Sequence, residues 1–141
     1  MKRRKDGYYE QTDNVSCGPI AILNALKYAK KENSNFQEIR KKCKTGRNGT
    51  DIENFENTLK TLLPYKRSVS LRNIEKSVNS GKSMILLRPD NDITFSGHFL
   101  FIDSSKYCVK TINSMLNWVQ LLEHITKYRG LGKTIGWIID I

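Results

Sequence analysis

Nucleophilic and proton-carrying side chains are scarce in this chain: three cysteines and two histidines among 141 residues. Cys17 stands out by its surroundings, in the run Gln11-Thr12-Asp13-Asn14-Val15-Ser16-Cys17-Gly18-Pro19. Pro19 suits the first turn of a helix, where its missing N–H costs nothing. Ile20–Leu26 then is apolar nearly all round, so the thiol heads the helix expected to be the most buried of the domain. The helix dipole places about +0.5 elementary charge there and favours thiolate over thiol. Gly18 lets another chain segment approach the sulfur. Gln11 lies on a loop that can fold back, so its NH₂ and the Cys17 N–H make a candidate oxyanion hole. A lone cysteine at a helix start is equally well an inert packing thiol, so the remaining partners decide.

His98 is the candidate base. It follows Gly97 in Gly97–Asp103 (GHFLFID), a predicted strand, whereas His124 falls in a helical stripe. Tyr107–Asn113 (YCVKTIN) reads as the next strand, joined by a tight turn at Ser104–Lys106. If Asp103 pairs with Cys108, His98 falls opposite Asn113, with Cβ atoms ~4.5–5.5 Å apart. The Asn113 amide oxygen can then accept Nδ1–H and leave Nε2 toward the thiol. A one-residue slip would separate them. Asp103 is the competing orienter, but strand alternation turns it away from His98, which favours Asn113. Thiol, base, orienter and oxyanion donor are the parts of an activated nucleophile.

Several elements must hold these residues. The central helix is predicted over Gly18–Lys31. Ser34-Asn35-Phe36-Gln37 and Thr50-Asp51-Ile52-Glu53 have the form of capping boxes, with Ser34 and Thr50 as caps. Ser70 caps a further helix with Leu71, Ile74 and Val78 inward. Met84–Leu87 is a short buried strand, Asp90–Ser96 a polar loop, Leu116–Tyr128 a helix and Thr134–Ile141 a final strand. Residues 1–10 form a flexible or edge segment. Helices come first and a mostly antiparallel sheet follows, which is the α+β class.

Composition excludes other classes. The length fits a single domain, residues 1–141. With 38% hydrophobic and 27% charged residues the chain can bury a core. No apolar run approaches the ~20 residues of a bilayer span, and no secretory signal follows the basic start. An odd cysteine count without that signal points to free thiols in a reducing, cytoplasmic setting. No metal-ligand spacing is present, so neither a metal nor another cofactor is expected. Lys and Arg number 24 against 14 Asp and Glu, a net charge of +10. No helix-turn-helix, zinc-finger or aromatic RNP pattern accompanies them. The charge therefore argues less for nucleic acid than for an acidic protein partner.

The Gln11…Cys17-Gly18-Pro19 start with its apolar helix resembles the bacteriocin-processing, double-glycine leader peptidases. So do Gly49-Thr50 before Ile52, Phe55 and Leu59, and Asn79-Ser80-Gly81-Lys82 before Met84–Leu87 and Gly97-His98-Phe99. The resemblance covers roughly residues 8–115. It implies a papain-like fold and cleavage after Gly-Gly by Cys, His and Asp, with Gln in the oxyanion hole. Those roles fall on Cys17, His98, position 113 and Gln11. The chain departs at Asn113-Ser114, where those peptidases usually have Asp-Pro. An Asn there is similar to papain and to the Josephin deubiquitinases, which share the order Gln, Cys, His, Asn and end in a helix and a strand. Gln-x-x-Asn-x-x-Cys-Gly also resembles the SUMO proteases, but there the His precedes the Cys.

The expected function is a cysteine peptidase hydrolysing a peptide or isopeptide bond after Gly-Gly. Its partner is then a leader-type peptide or a ubiquitin-like tail. The alternatives are a peptide-binding module on the same fold that no longer catalyses, acyl transfer in place of hydrolysis, and a basic nucleic-acid-binding protein.

Overall fold

The computed structural model describes residues 2–32, 34–89, 97–105, 109–130 and 132–141. The expected polar loop at Asp90–Ser96, Lys106 of the expected turn and the third cysteine, Cys108, lie outside the described residues.

A five-stranded antiparallel sheet organises the chain, in the order β3 (Tyr65–Ser68), β7 (Ile135–Ile139), β4 (Met84–Arg88), β5 (His98–Asp103), β6 (Lys110–Ile112). Its period-two alternation divides the core. Ile85, Leu87, Phe99 and Phe101 face α1 (Cys17–Tyr28), α2 (Phe36–Lys42) and α3 (Ile52–Leu59). Met84, Leu86, Leu100 and Ile102 face α4 (Leu71–Asn79) and α5 (Trp118–Tyr128). Strands buried on both faces read as continuous apolar runs, as MILLR and HFLFID do. Every residue of α1 from Cys17 to Leu26 is buried, as its all-round apolar sequence requires. Phe55 of α3 stacks on Phe99 at 4.2 Å between ring centroids and tilts against Trp137 at 4.7 Å.

Several boundaries differ from expectation for physical reasons. The caps of α2 and α3 are Asn35 and Asp51, one residue beyond Ser34 and Thr50; each accepts a backbone N–H three residues on. A side-chain carbonyl or carboxylate next to a hydroxyl is at least as good a cap. Thr50 instead hydrogen-bonds Thr45 through their hydroxyls, at 2.6 Å. α5 begins at Trp118 behind an Asn117–Gln120 capping box. β3 was not anticipated, because YKRS has no apolar alternation.

Residues 2–10 form an edge ribbon, not a loose tail. β1 (Lys2–Arg3) pairs with β2 (Tyr9–Glu10). The Tyr8 hydroxyl donates to the buried Asp103 carboxylate at 2.7 Å. The buried Asn24 side chain accepts from Tyr9 N–H at 2.7 Å and donates to Tyr9 C=O at 3.2 Å. The ribbon is thereby fastened to both α1 and β5, just before Gln11.

Candidate functional site

The loop before α1 is folded by Asp13. Its carboxylate accepts from Val15 N–H, Ser16 N–H and the Ser16 hydroxyl, all within 2.9 Å. Burial alone would raise the Asp13 pKa, but these donors and the charge of Arg40 outweigh it and hold the carboxyl below its usual range. The tight turn delivers Cys17 as the first residue of α1. Gly18 serves packing here: a Cβ would lie 3.1 Å from Thr50 Oγ1 and 3.2 Å from Thr50 Cβ. The missing Cβ allows close contact between the α1 start and the turn ahead of α3.

Cys17 is 9% exposed. Burial pushes its thiol pKa up; the nearby backbone N–H groups of Phe99, Gly18 and Cys17 and the Arg88 charge pull the other way. Desolvation wins. Burial therefore works against the thiolate that the helix start was expected to favour. Phe99, the β5 residue beside the sulfur, is next to His98.

The hairpin register also differs from expectation. Asp103 pairs with Lys110, not with Cys108, a shift of two residues. The Asp103 carboxylate accepts the N–H and hydroxyl of Ser105, at 3.1 and 2.7 Å. β6 then ends at Ile112, opposite Phe101, and His98 has no strand residue across from it on that side. Asn113 still reaches His98, by another route. It adopts a left-handed conformation, φ +54°, which Asn tolerates better than most residues. His98 Nε2 donates to the Asn113 backbone oxygen at 2.6 Å. A carbonyl only accepts, so Nε2 carries the hydrogen and Nδ1 is the acceptor of the neutral ring. This reverses the expected use of the two nitrogens. The Asn113 amide faces β5 instead, donating to Phe99 C=O at 2.8 Å and accepting from Phe101 N–H at 3.4 Å. Asp103, the rival orienter, engages Tyr8 and Ser105.

Gln11, His98 and Asn113 line one cleft of about 390 Å³, together with Arg4, Glu10, Asp13 and Arg88. Gln11 Nε2 donates to Asp13 C=O at 2.7 Å, which holds the amide and leaves its second hydrogen for another acceptor. Sequence reasoning passed over two contributors. Arg88 pairs with His98 across β4 and β5, and its guanidinium contacts His124 Nε2 at 3.0 Å; the available signal was a lone charge ending an apolar strand. Gly97, φ +142°, brings β5 so close to β4 that a Cβ would meet Arg88 C=O at 2.2 Å. Among the described residues no group of three or more His, Cys, Asp or Glu is placed to hold a metal ion. No helix among them is long and apolar enough to cross a membrane.

No family model and no curated protein matches the chain. Solved structures do match in fold. The peptidase domain of Streptococcus ComA, a bifunctional ABC transporter involved in quorum sensing, superposes with a TM-score of 0.63 at 14% identity, over 93% of this chain and 96% of that one. A double-glycine-motif protease from an AMS/PCAT transporter, solved with the leader peptide, superposes with a TM-score of 0.64 at 16% identity, over 94% and 90%. The fold is that of the papain-like peptidase domains.

Proposed function

We propose that the chain is a cysteine peptidase that cleaves after Gly-Gly. The observation that carries the reading is the meeting of α1 and β5: α1, which begins at Cys17, packs on β5, which begins at His98, while His98 Nε2 is held by the Asn113 carbonyl. Both solved neighbours are peptidases, and one of them acts on a double-glycine motif with the leader peptide bound. That favours a leader-type peptide over a ubiquitin-like tail.

Cys17 attacks the scissile carbonyl carbon as His98 Nδ1 takes the thiol proton. The carbonyl electron pair moves to oxygen, where the Cys17 N–H and the second Gln11 amide hydrogen stabilise it. The tetrahedral intermediate collapses to a thioester, and the leaving amine takes the proton from His98. Water then adds to the thioester, giving its proton to His98, and the product acid leaves as Cys17 regains a proton.

The test is turnover of a peptide carrying one Gly-Gly site, with products read by mass spectrometry. Cys17→Ala is expected to abolish cleavage; undiminished hydrolysis in that variant defeats the assignment.

A further inference from the structure

β6 ends at Ile112, opposite Phe101, and β5 runs on past it, with Phe99 C=O the next acceptor along that edge. A further stretch of β6 would normally donate to it. The Asn113 side-chain amide spans this step, donating to Phe99 C=O at 2.8 Å and accepting from Phe101 N–H, at the end of the pairing, at 3.4 Å. One amide acting as acceptor and donor at once imitates a peptide group and completes the ladder rung. With its side chain spent on the sheet and its backbone at φ +54°, Asn113 turns its own carbonyl onto His98 Nε2.

We infer that Asn113 orients His98 through its backbone carbonyl, and that its side chain is a surrogate rung holding that carbonyl in place. Asn113 is a positioning residue, and the inference rests on the peptidase reading only for its effect on catalysis. The chemistry makes the amide specific. An aspartate can accept from Phe101 N–H, but it sets a second lone pair against Phe99 C=O where Asn113 places an N–H. If the side chain were the orienter, a carboxylate would serve His98 at least as well as an amide. The two arrangements therefore predict opposite outcomes for Asn113→Asp.

The experiment has two arms. In uniformly labelled wild-type protein, NMR correlation across the hydrogen bond should link His98 Nε2–H to the Asn113 backbone carbonyl carbon. A link to the Asn113 side-chain carbon instead overturns the inference, whether or not the protein is active. In the kinetic arm, Asn113→Asp should lower kcat/KM on a Gly-Gly peptide on the order of 10-fold or more near neutral pH. The loss should shrink as acid protonates the new carboxyl and restores a donor to Phe99. Wild-type or higher activity in Asn113→Asp, with no acid rescue, overturns it. Inactive wild-type protein that shows the backbone link defeats the peptidase reading and leaves the carbonyl contact standing.

Discussion

Replacing Gly97 with alanine tests the placement of His98 without altering any group that carries a proton. A Cβ there would lie 2.2 Å from Arg88 C=O and 3.0 Å from Leu87 Cδ1. Neither neighbour yields easily, because β4 is paired on both sides, with β5 and β7, and Leu87 is fully buried. Overpacking of this kind costs about 1–3 kcal/mol. The φ of +142° adds backbone strain on the order of 1–3 kcal/mol for a residue with a Cβ. The combined loss is about 2–6 kcal/mol, a large part of the stability of an ordinary domain. Urea unfolding reads it directly: with a slope of about 1–2 kcal/mol per molar, the midpoint should fall by at least ~1 M. Gly130→Ala is the control, since a Cβ there meets nothing within 4 Å; it should stay within about 0.5 kcal/mol of the parent. Peptidase activity of Gly97→Ala should fall further than its folded fraction, because β5 must shift at His98. An unfolding free energy within about 0.5 kcal/mol of the parent would refute the close approach of β5 to β4 and the placement built on it.

Tyr8→Phe removes the hydroxyl bonded to the buried Asp103 carboxylate and should cost about 1–3 kcal/mol in chemical denaturation. In the parent, burial and Asp103 raise the Tyr8 pKa, so above about pH 10 the unfolded chain gives up a proton that the folded chain keeps. Stability conferred by Tyr8 is therefore complete below that pH and lost as pH rises; a denaturation series should show this fall in the parent and a weaker one in Tyr8→Phe. Asp13 has the opposite sign. Its folded pKa is depressed, so its contribution is present above the ordinary carboxylate range and lost as pH falls through the folded value. Asp13→Ala should flatten the acid side of the stability curve. Alkylation by iodoacetamide should rise for Cys17 on the alkaline side of an ordinary thiol, since its pKa is raised. Cys43, buried and pushed up to about 11, should label more slowly still. Fast, pH-independent labelling of Cys17 at pH 5 would contradict a thiol raised by burial.

The central helix was legible because ten consecutive residues that avoid water leave a chain few places to go. Ser70 was legible as a cap because it has no competitor beside it, whereas Asn35 and Asp51 displaced Ser34 and Thr50 by one position. Edge strands hid for lack of an apolar face, as β3 shows. Long-range polar fastenings left no local trace: Tyr8 and Asp103 are 95 residues apart, and neither neighbourhood announces the other. The hairpin expectation named Asn113 as a partner of His98 and misjudged how the two meet. The observed register pairs Asp103 with Lys110, and the contact depends on a left-handed backbone at residue 113 that no spacing pattern reveals. Gly97 appeared in the sequence only as a small residue before the candidate base, and Gly18 as one that admits a chain to the sulfur; the neighbours that crowd a Cβ at each come from distant segments.

The most direct test of Cys17 as the nucleophile facing a Gly-Gly carbonyl is covalent capture. A peptide ending in Gly-Gly with a thiol-reactive electrophile in place of the scissile bond is incubated with the protein, and the adduct is mapped by tandem mass spectrometry. The proposed mechanism predicts one adduct, on Cys17, formed far more slowly in His98→Ala and suppressed by excess uncleaved Gly-Gly peptide. No adduct on Cys17, or one that forms equally fast without His98, would contradict it.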